Sequence, residues 1–172
     1  MNQLGETIQH QARRFDLTLC SEPLDQLIQF LELLQKWGRT LRLTADPRPS
    51  VLVQRHLPDA LVLVQMSGAR ECSPKTAIDV GSGSGLPALP LAIVAPTISG
   101  TLVEARSRRC SFLQTAVHKL GLDNCKVLNS RIEQLSLSEA DLAMSKATFP
   151  PPMWLETGAQ LIHDKGLIAL LC

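Results

Sequence analysis

At 172 residues, with 45% hydrophobic and 19% charged side chains, the chain is long enough for one domain with a real core and too apolar to be disordered. A net charge of +1 gives no support for a nucleic-acid partner, and an aromatic content of 3% without Tyr argues against single-strand binding by base stacking. The five cysteines form no Cys-x-x-Cys pair and have no His at ligand spacing, which excludes the common zinc motifs and suits the reduced thiols of a cytoplasmic protein. Residues 1–16 are polar, with no signal-peptide core, and no run approaches transmembrane length.

The first third reads as helical. Ser21 is a plausible N-cap with Pro23 in the first turn, and Leu24, Leu27, Ile28, Leu31 and Leu34 recur at helical spacing up to Trp37, with Gly38 as the expected end. After Pro47, Pro49 and Ser50, a second helical stretch over 51–66 carries Arg55, His56 and Asp59, and Pro58 should break it near Leu57. Residues 67–74 read as a polar linker. The expected organisation is one compact domain, with a helical segment (1–74) packed on an α/β core (75–172). Arginines gather in two places: Arg13, Arg14, Arg39, Arg42, Arg48, Arg55 and Arg70, then Arg106, Arg108 and Arg109.

From Lys75 the rhythm alternates. Strands are expected at 76–80, 99–104, 124–129, 141–145 and 166–171, with helices at 86–95, 107–120 and 152–163. In the middle helix Ser107 is the candidate N-cap, Cys110, Leu113, Val117 and Leu120 make the buried stripe, and Gly121 ends it. This order implies a Rossmann-like parallel sheet with right-handed crossovers, whose ligands bind at the carboxyl ends of the strands. That edge collects the Gly81 loop, Glu104, the 130–133 turn and Ser145-Lys146.

The loop Asp79-Val80-Gly81-Ser82-Gly83-Ser84-Gly85-Leu86-Pro87 follows the first strand. Alternate glycines permit tight turns with positive φ and bare one surface, so a ligand can lie against the main chain. The dinucleotide fingerprint G-x-G-x-x-G fails from Gly81, because position 86 is Leu, and from Gly83 it fits only with Ala88 as third member and shifted two residues from the strand. The phosphate-loop pattern fails because Leu86-Pro87 stand where Lys and Ser/Thr are needed. The pattern that fits unadjusted is acid-x-G-x-G-x-G, the S-adenosylmethionine loop of class I methyltransferases. Glu104, nineteen residues after Gly85 at the end of the second strand, can accept hydrogen bonds from ribose hydroxyls. NAD enzymes share that acid, so it indicates a nucleoside and not a methyl donor.

Longer stretches carry a family resemblance. Phe30-Leu31-Glu32-Leu33-Leu34-Gln35-Lys36-Trp37, Leu43-Thr44, Arg55-His56 with Asp59-Ala60-Leu61, the glycine loop continued by Leu86-Pro87 and Leu89-Pro90-Leu91-Ala92-Ile93, and Ser107-Arg108-Arg109 with Phe112-Leu113 resemble the RsmG (GidB) family. Members of that family methylate a guanine N7 of 16S ribosomal RNA. The resemblance implies S-adenosylmethionine as cofactor and 16S rRNA or the small ribosomal subunit as partner. It further implies that Gly81, Gly83 and Leu86 line the cofactor's methionine and ribose. Glu104 would hold the ribose hydroxyls, Ile132 and Glu133 would flank the adenine, and Lys146 would stand at the family's S-R-A-F arginine. Arg55, His56, Arg108 and Arg109 would face the RNA. Thr148 stands at the usual Phe of that motif, followed by Phe149. The chain ends at Cys172, where the family continues through a further pair of strands, so strand 166–171 is expected to be an apolar edge open to self-association. Alternatives are a methyltransferase with another substrate and a short, non-catalytic cofactor- or RNA-binding relic.

Overall fold

The computed structural model describes residues 3–68, 73–137 and 139–171; Arg70, Cys72, Cys172 and the middle of the expected linker, 69–72, lie outside the described residues. Four helices come first: α1 (Gln3–Arg13), α2 (Ser21–Leu41), α3 (Pro49–Arg55) and α4 (Leu57–Gly68). Strands and helices then alternate as β1 (Thr76–Val80), α5 (Ala88–Val94), β2 (Ser99–Val103), α6 (Ser107–Leu120), β3 (Cys125–Leu128), β4 (Ala140–Lys146), α7 (Pro151–Ala159) and β5 (Ile162–Leu171). A 3-10 turn, Ile132–Gln134, stands between β3 and β4. The five strands form one parallel sheet in the order β3-β2-β1-β4-β5. Among the described residues no helix is long and apolar enough to cross a membrane.

Local chemistry explains most boundaries. Pro58 cannot continue a helix already hydrogen-bonded through 55, so α3 stops at His56 and α4 starts afresh at Leu57. Gly121, with φ of 64°, closes α6 by donating to the carbonyls of Val117 and His118. Three expectations shift. The N-caps are Cys20 and Arg106, one residue before Ser21 and Ser107, and neither is completed by a side-chain bond. Helix α2 runs past Gly38 to Leu41 and ends on Arg42 in the left-handed region; Gly38 instead gives passage to Pro47, whose Cβ would lie 2.8 Å from a Cβ at 38. Residues 160–163, expected as helix, turn into β5. The Leu161 carbonyl accepts from Ala140 N–H at 2.8 Å, and His163 Nε2 meets Asp141 Oδ1 at 2.7 Å. That pairing bulges the ladder between Ala140 and Leu142, and only a glycine fits at 166, where a Cβ would lie 2.6 Å from the Ile162 Cβ.

The sheet is buried unevenly. On one face Ala77, Leu102, Leu142 and Met144 merge with Leu89, Leu91 and Leu113 and with Leu27, Phe30, Leu34, Leu52 and Leu61 from the first helices, in a single core. The other face carries a smaller cluster around Ile78, Val80, Val103, Ala143 and the fully buried Trp154. Trp154 Nε1 donates to the Ala169 carbonyl at 2.9 Å, and its ring stacks on Phe149 with centroids 5.8 Å apart. Asp141 fastens the amino end of the sheet by accepting from the Lys75 and Thr76 amides at 2.8 Å each. The carboxyl end is left open.

Candidate cofactor and substrate site

β1 feeds the glycine loop, and β2 holds its first turn: the amides of Gly81 and Ser82 both donate to the Val103 carbonyl, at 2.9 and 3.1 Å. Gly81, Gly83 and Gly85 have φ of 77°, 52° and 81°, the left-handed region where a side chain is strained. Their surroundings separate their roles. A Cβ at Gly81 would run into the Thr148 side chain, and one at Gly85 would lie 2.6 Å from Leu89 Cδ1 and 3.2 Å from Leu113 Cδ2. The protein's own packing therefore requires both. A Cβ at Gly83 would meet nothing nearer than 3.6 Å, where Arg109 Nη1 stands. Of the three, the middle glycine alone would accept a Cβ at ordinary contact distances, beside Arg109, Gly81 and Glu104. Leu86 is buried behind the loop.

Glu104 follows β2 directly and is 5% exposed. Its Oε2 accepts from the Gly83 amide at 2.9 Å and its Oε1 from the Arg106 amide at 2.8 Å, so two backbone donors hold the carboxylate facing the loop. In front lies a cavity of about 400 Å³ lined by Val80, Gly81, Glu104, Ala105, Arg106, Arg109, Ser130, Arg131, Ile132, Glu133, Thr148 and Phe149. That volume falls in the range of small-molecule and cofactor sites. A groove of about 380 Å³ runs past Thr76, Ser99, Thr101 and Lys126 toward the amino ends of the strands. It has no glycine loop, and parallel sheets bind at the opposite end.

The expected residues are partly regrouped. Gly81, Glu104, Ile132 and Glu133 line the cavity, and Gly83 borders it through Glu104. Arg109, expected on the RNA side, lies in the lining, and its Nη2 donates to the Arg42 carbonyl at 3.1 Å, tying α6 to the end of α2. Lys146, expected beside the cofactor, turns to the helical segment. Its Nζ lies 2.5 Å from Asp59 Oδ2 and 2.7 Å from His56 Nδ1. Burial and the Lys146 charge hold the His56 imidazole below its ordinary range. Arg55 and Arg108 are exposed. Arg106, Arg131 and Phe149 were not singled out for the cavity; their signal is position, each falling a few residues after a strand end.

Asp79, the first acid of the loop, is fully enclosed, and its Oδ2 has no hydrogen-bond partner among the described residues. Burial pushes its carboxyl up to about 7, against the lowering effect of Ser82 and with the Glu104 charge adding to the rise. A carboxyl raised above its unfolded value stabilises the fold below the ordinary carboxylate range, and this contribution is lost as pH rises toward the folded value. The stability difference between wild type and Asp79→Asn should therefore move against wild type by about 2–3 kcal/mol between pH 5 and pH 8. Urea unfolding at the two pH values measures it; an unchanged difference would mean that Asp79 is ionised in the folded chain.

The profile of GidB, rRNA small subunit methyltransferase G, matches residues 23–171. The ribosomal RNA small subunit methyltransferase G of Neisseria meningitidis serogroup A is 36% identical over 148 residues, covering 86% of this chain and 69% of that protein. Among solved structures, an S-adenosylmethionine-dependent methyltransferase from Aquifex aeolicus superposes with a TM-score of 0.57 at 21% identity, over 77% of this chain and 71% of that one. Another from Geobacter sulfurreducens, in complex with S-adenosyl-L-homocysteine, gives 0.52 at 20% identity, over 63% and 46%. The solved structures place the fold among class I methyltransferases, and the sequence matches make this chain a member of the GidB family, rRNA small subunit methyltransferase G.

Proposed function

We propose that the chain transfers the methyl group of S-adenosylmethionine to N7 of a guanine in 16S rRNA, presented as free RNA or in the small ribosomal subunit. The observation that carries this reading is the buried Glu104 carboxylate, tied to the Gly83 amide of the glycine loop and set in the lining of a cofactor-sized cavity, in a chain of this family. The residues present fit the cofactor. Glu104 has acceptor capacity for two ribose hydroxyls, Ile132 offers an apolar wall for the adenine beside Glu133, and the Gly81–Gly83 backbone leaves room for the methionine. When bound, the cofactor supplies an electrophilic methyl on a positively charged sulfur.

Guanine N7 carries a free lone pair at neutral pH, so no general base is required. The protein's part is alignment: it holds base and cofactor in line and excludes water. The arginines at the rim, Arg106, Arg109 and Arg131, with the exposed Arg55 and Arg108, supply phosphate contacts. The same reading makes the protein cytoplasmic.

Calorimetry with S-adenosylmethionine tests the first half of the reading, and a folded protein giving no binding heat would remove it. Transfer of radiolabelled methyl to 30S particles, compared with naked 16S rRNA, tests the second half and identifies the preferred form of the substrate.

A further inference from the structure

One cluster at the carboxyl edge of the sheet lies outside the cavity lining and beside it. His56, between α3 and α4, and Asp59, in the first turn of α4, converge on Lys146 at the end of β4. Lys146 continues directly into Ala147 and Thr148, which line the cavity. An ammonium group has only hydrogens to give, so the contact at 2.7 Å fixes His56 Nδ1 as acceptor. A ring that accepts at Nδ1 carries its proton on Nε2. That N–H has no protein partner among the described residues, and the ring is half-buried. The remaining charges facing the ring are Asp59, which favours its protonation, and Arg55, which opposes it together with Lys146.

We propose that His56 is a substrate-positioning residue whose Nε2–H donates to O6 of the target guanine, with Lys146 and Asp59 holding it in that tautomer. The inference rests on the N7-methyl-transfer reading. Guanine presents N7 and O6 side by side on one edge. A donor on N7 would engage the lone pair that must attack, whereas a donor on O6 grips the same edge and leaves N7 free. In the transfer the carbon–sulfur bond breaks, the N7–carbon bond forms, and the positive charge passes from sulfur to the purine; no proton moves. A bare ammonium at this place would oppose that arriving charge. Asp59 neutralises Lys146, and a neutral N–H is what the site offers.

Two measurements test this. Nitrogen-15 NMR of the imidazole should show the Nε2–H tautomer in wild type from pH 6 to 8. In Lys146→Met it should show mixed tautomers and an imidazolium growing in toward pH 6. With rRNA as substrate, His56→Ala should lower kcat/KM at least about tenfold, the value of one lost hydrogen bond, with the calorimetric affinity for S-adenosylmethionine within about twofold of wild type. His56→Gln, whose amide can place a donor near the same point, should recover most of the loss. Lys146→Met should keep cofactor affinity and lose rate selectively at low pH. An Nδ1–H tautomer in wild type, an unchanged kcat/KM in His56→Ala, or a His56→Gln that folds with the wild-type Tm yet is as slow as His56→Ala would each overturn the proposal. If wild type binds the cofactor but methylates no rRNA, the underlying reading fails and takes the proposal with it, whatever the NMR shows.

Discussion

Gly85→Ala is expected to cost about 2–5 kcal/mol of stability, whereas Gly83→Ala should cost about 1–2 kcal/mol and be felt chiefly in cofactor binding. Both residues hold a left-handed φ, so both alanines carry the same backbone strain. At 85 the new methyl also collides with Leu89 and Leu113, two side chains of the main core that have nowhere to retreat. At 83 it makes only ordinary contacts, with Arg109, the Gly81 carbonyl and Glu104, three residues that line the cavity. Urea unfolding and calorimetry on both variants separate the effects. Gly85→Ala should lose Tm first, and Gly83→Ala should stay folded with cofactor affinity lowered at least about tenfold. Equal loss of affinity per unit of lost stability in the two variants would contradict the assignment of Gly83 to the ligand.

Glu104→Ala should lower cofactor affinity about a hundredfold or more. Among the described residues the carboxylate is the only buried acid in the cavity lining, and hydrogen bonds from hydroxyls to a charged acceptor contribute about 1.5–3 kcal/mol each. The side chain also anchors the Gly83 and Arg106 amides, so the alanine variant releases the loop as well as removing the acceptor. Glu104→Gln isolates the charge: it keeps the shape and one acceptor oxygen, and its loss should be about tenfold. Isothermal titration of both variants, with Tm as the control for folding, checks the order. A glutamine variant that binds like wild type would mean that the ribose is held elsewhere.

Features with strict local requirements were legible in the sequence. Three alternate glycines in a strand-to-helix loop, an acid at the next strand end, and Gly121 after an amphipathic stripe admit few other conformations, and all of them stand where expected. What the sequence hid depends on tertiary packing. Gly38 reads as a helix end, yet α2 passes through it because Pro47 packs against the missing Cβ. Residues 160–163 lack any strand pattern, since His163 is turned toward Asp141 by a bulge in the ladder. The long side chains were least readable. Arg109 and Lys146 lie at the expected backbone positions, but Arg109 reaches the cavity beside Gly83 while Lys146 is drawn away to Asp59 and His56. Ends with four or five rotatable bonds go where charge and space allow, and only the folded arrangement fixes both.

The most direct measurement is mass spectrometry of nucleosides from 16S rRNA. RNA lacking the modification is incubated with the purified chain and S-adenosylmethionine, then digested. The account predicts 7-methylguanosine, dependent on both protein and cofactor and lost in Glu104→Ala. A chain that binds the cofactor but yields no 7-methylguanosine, from naked RNA or from 30S particles, would contradict it.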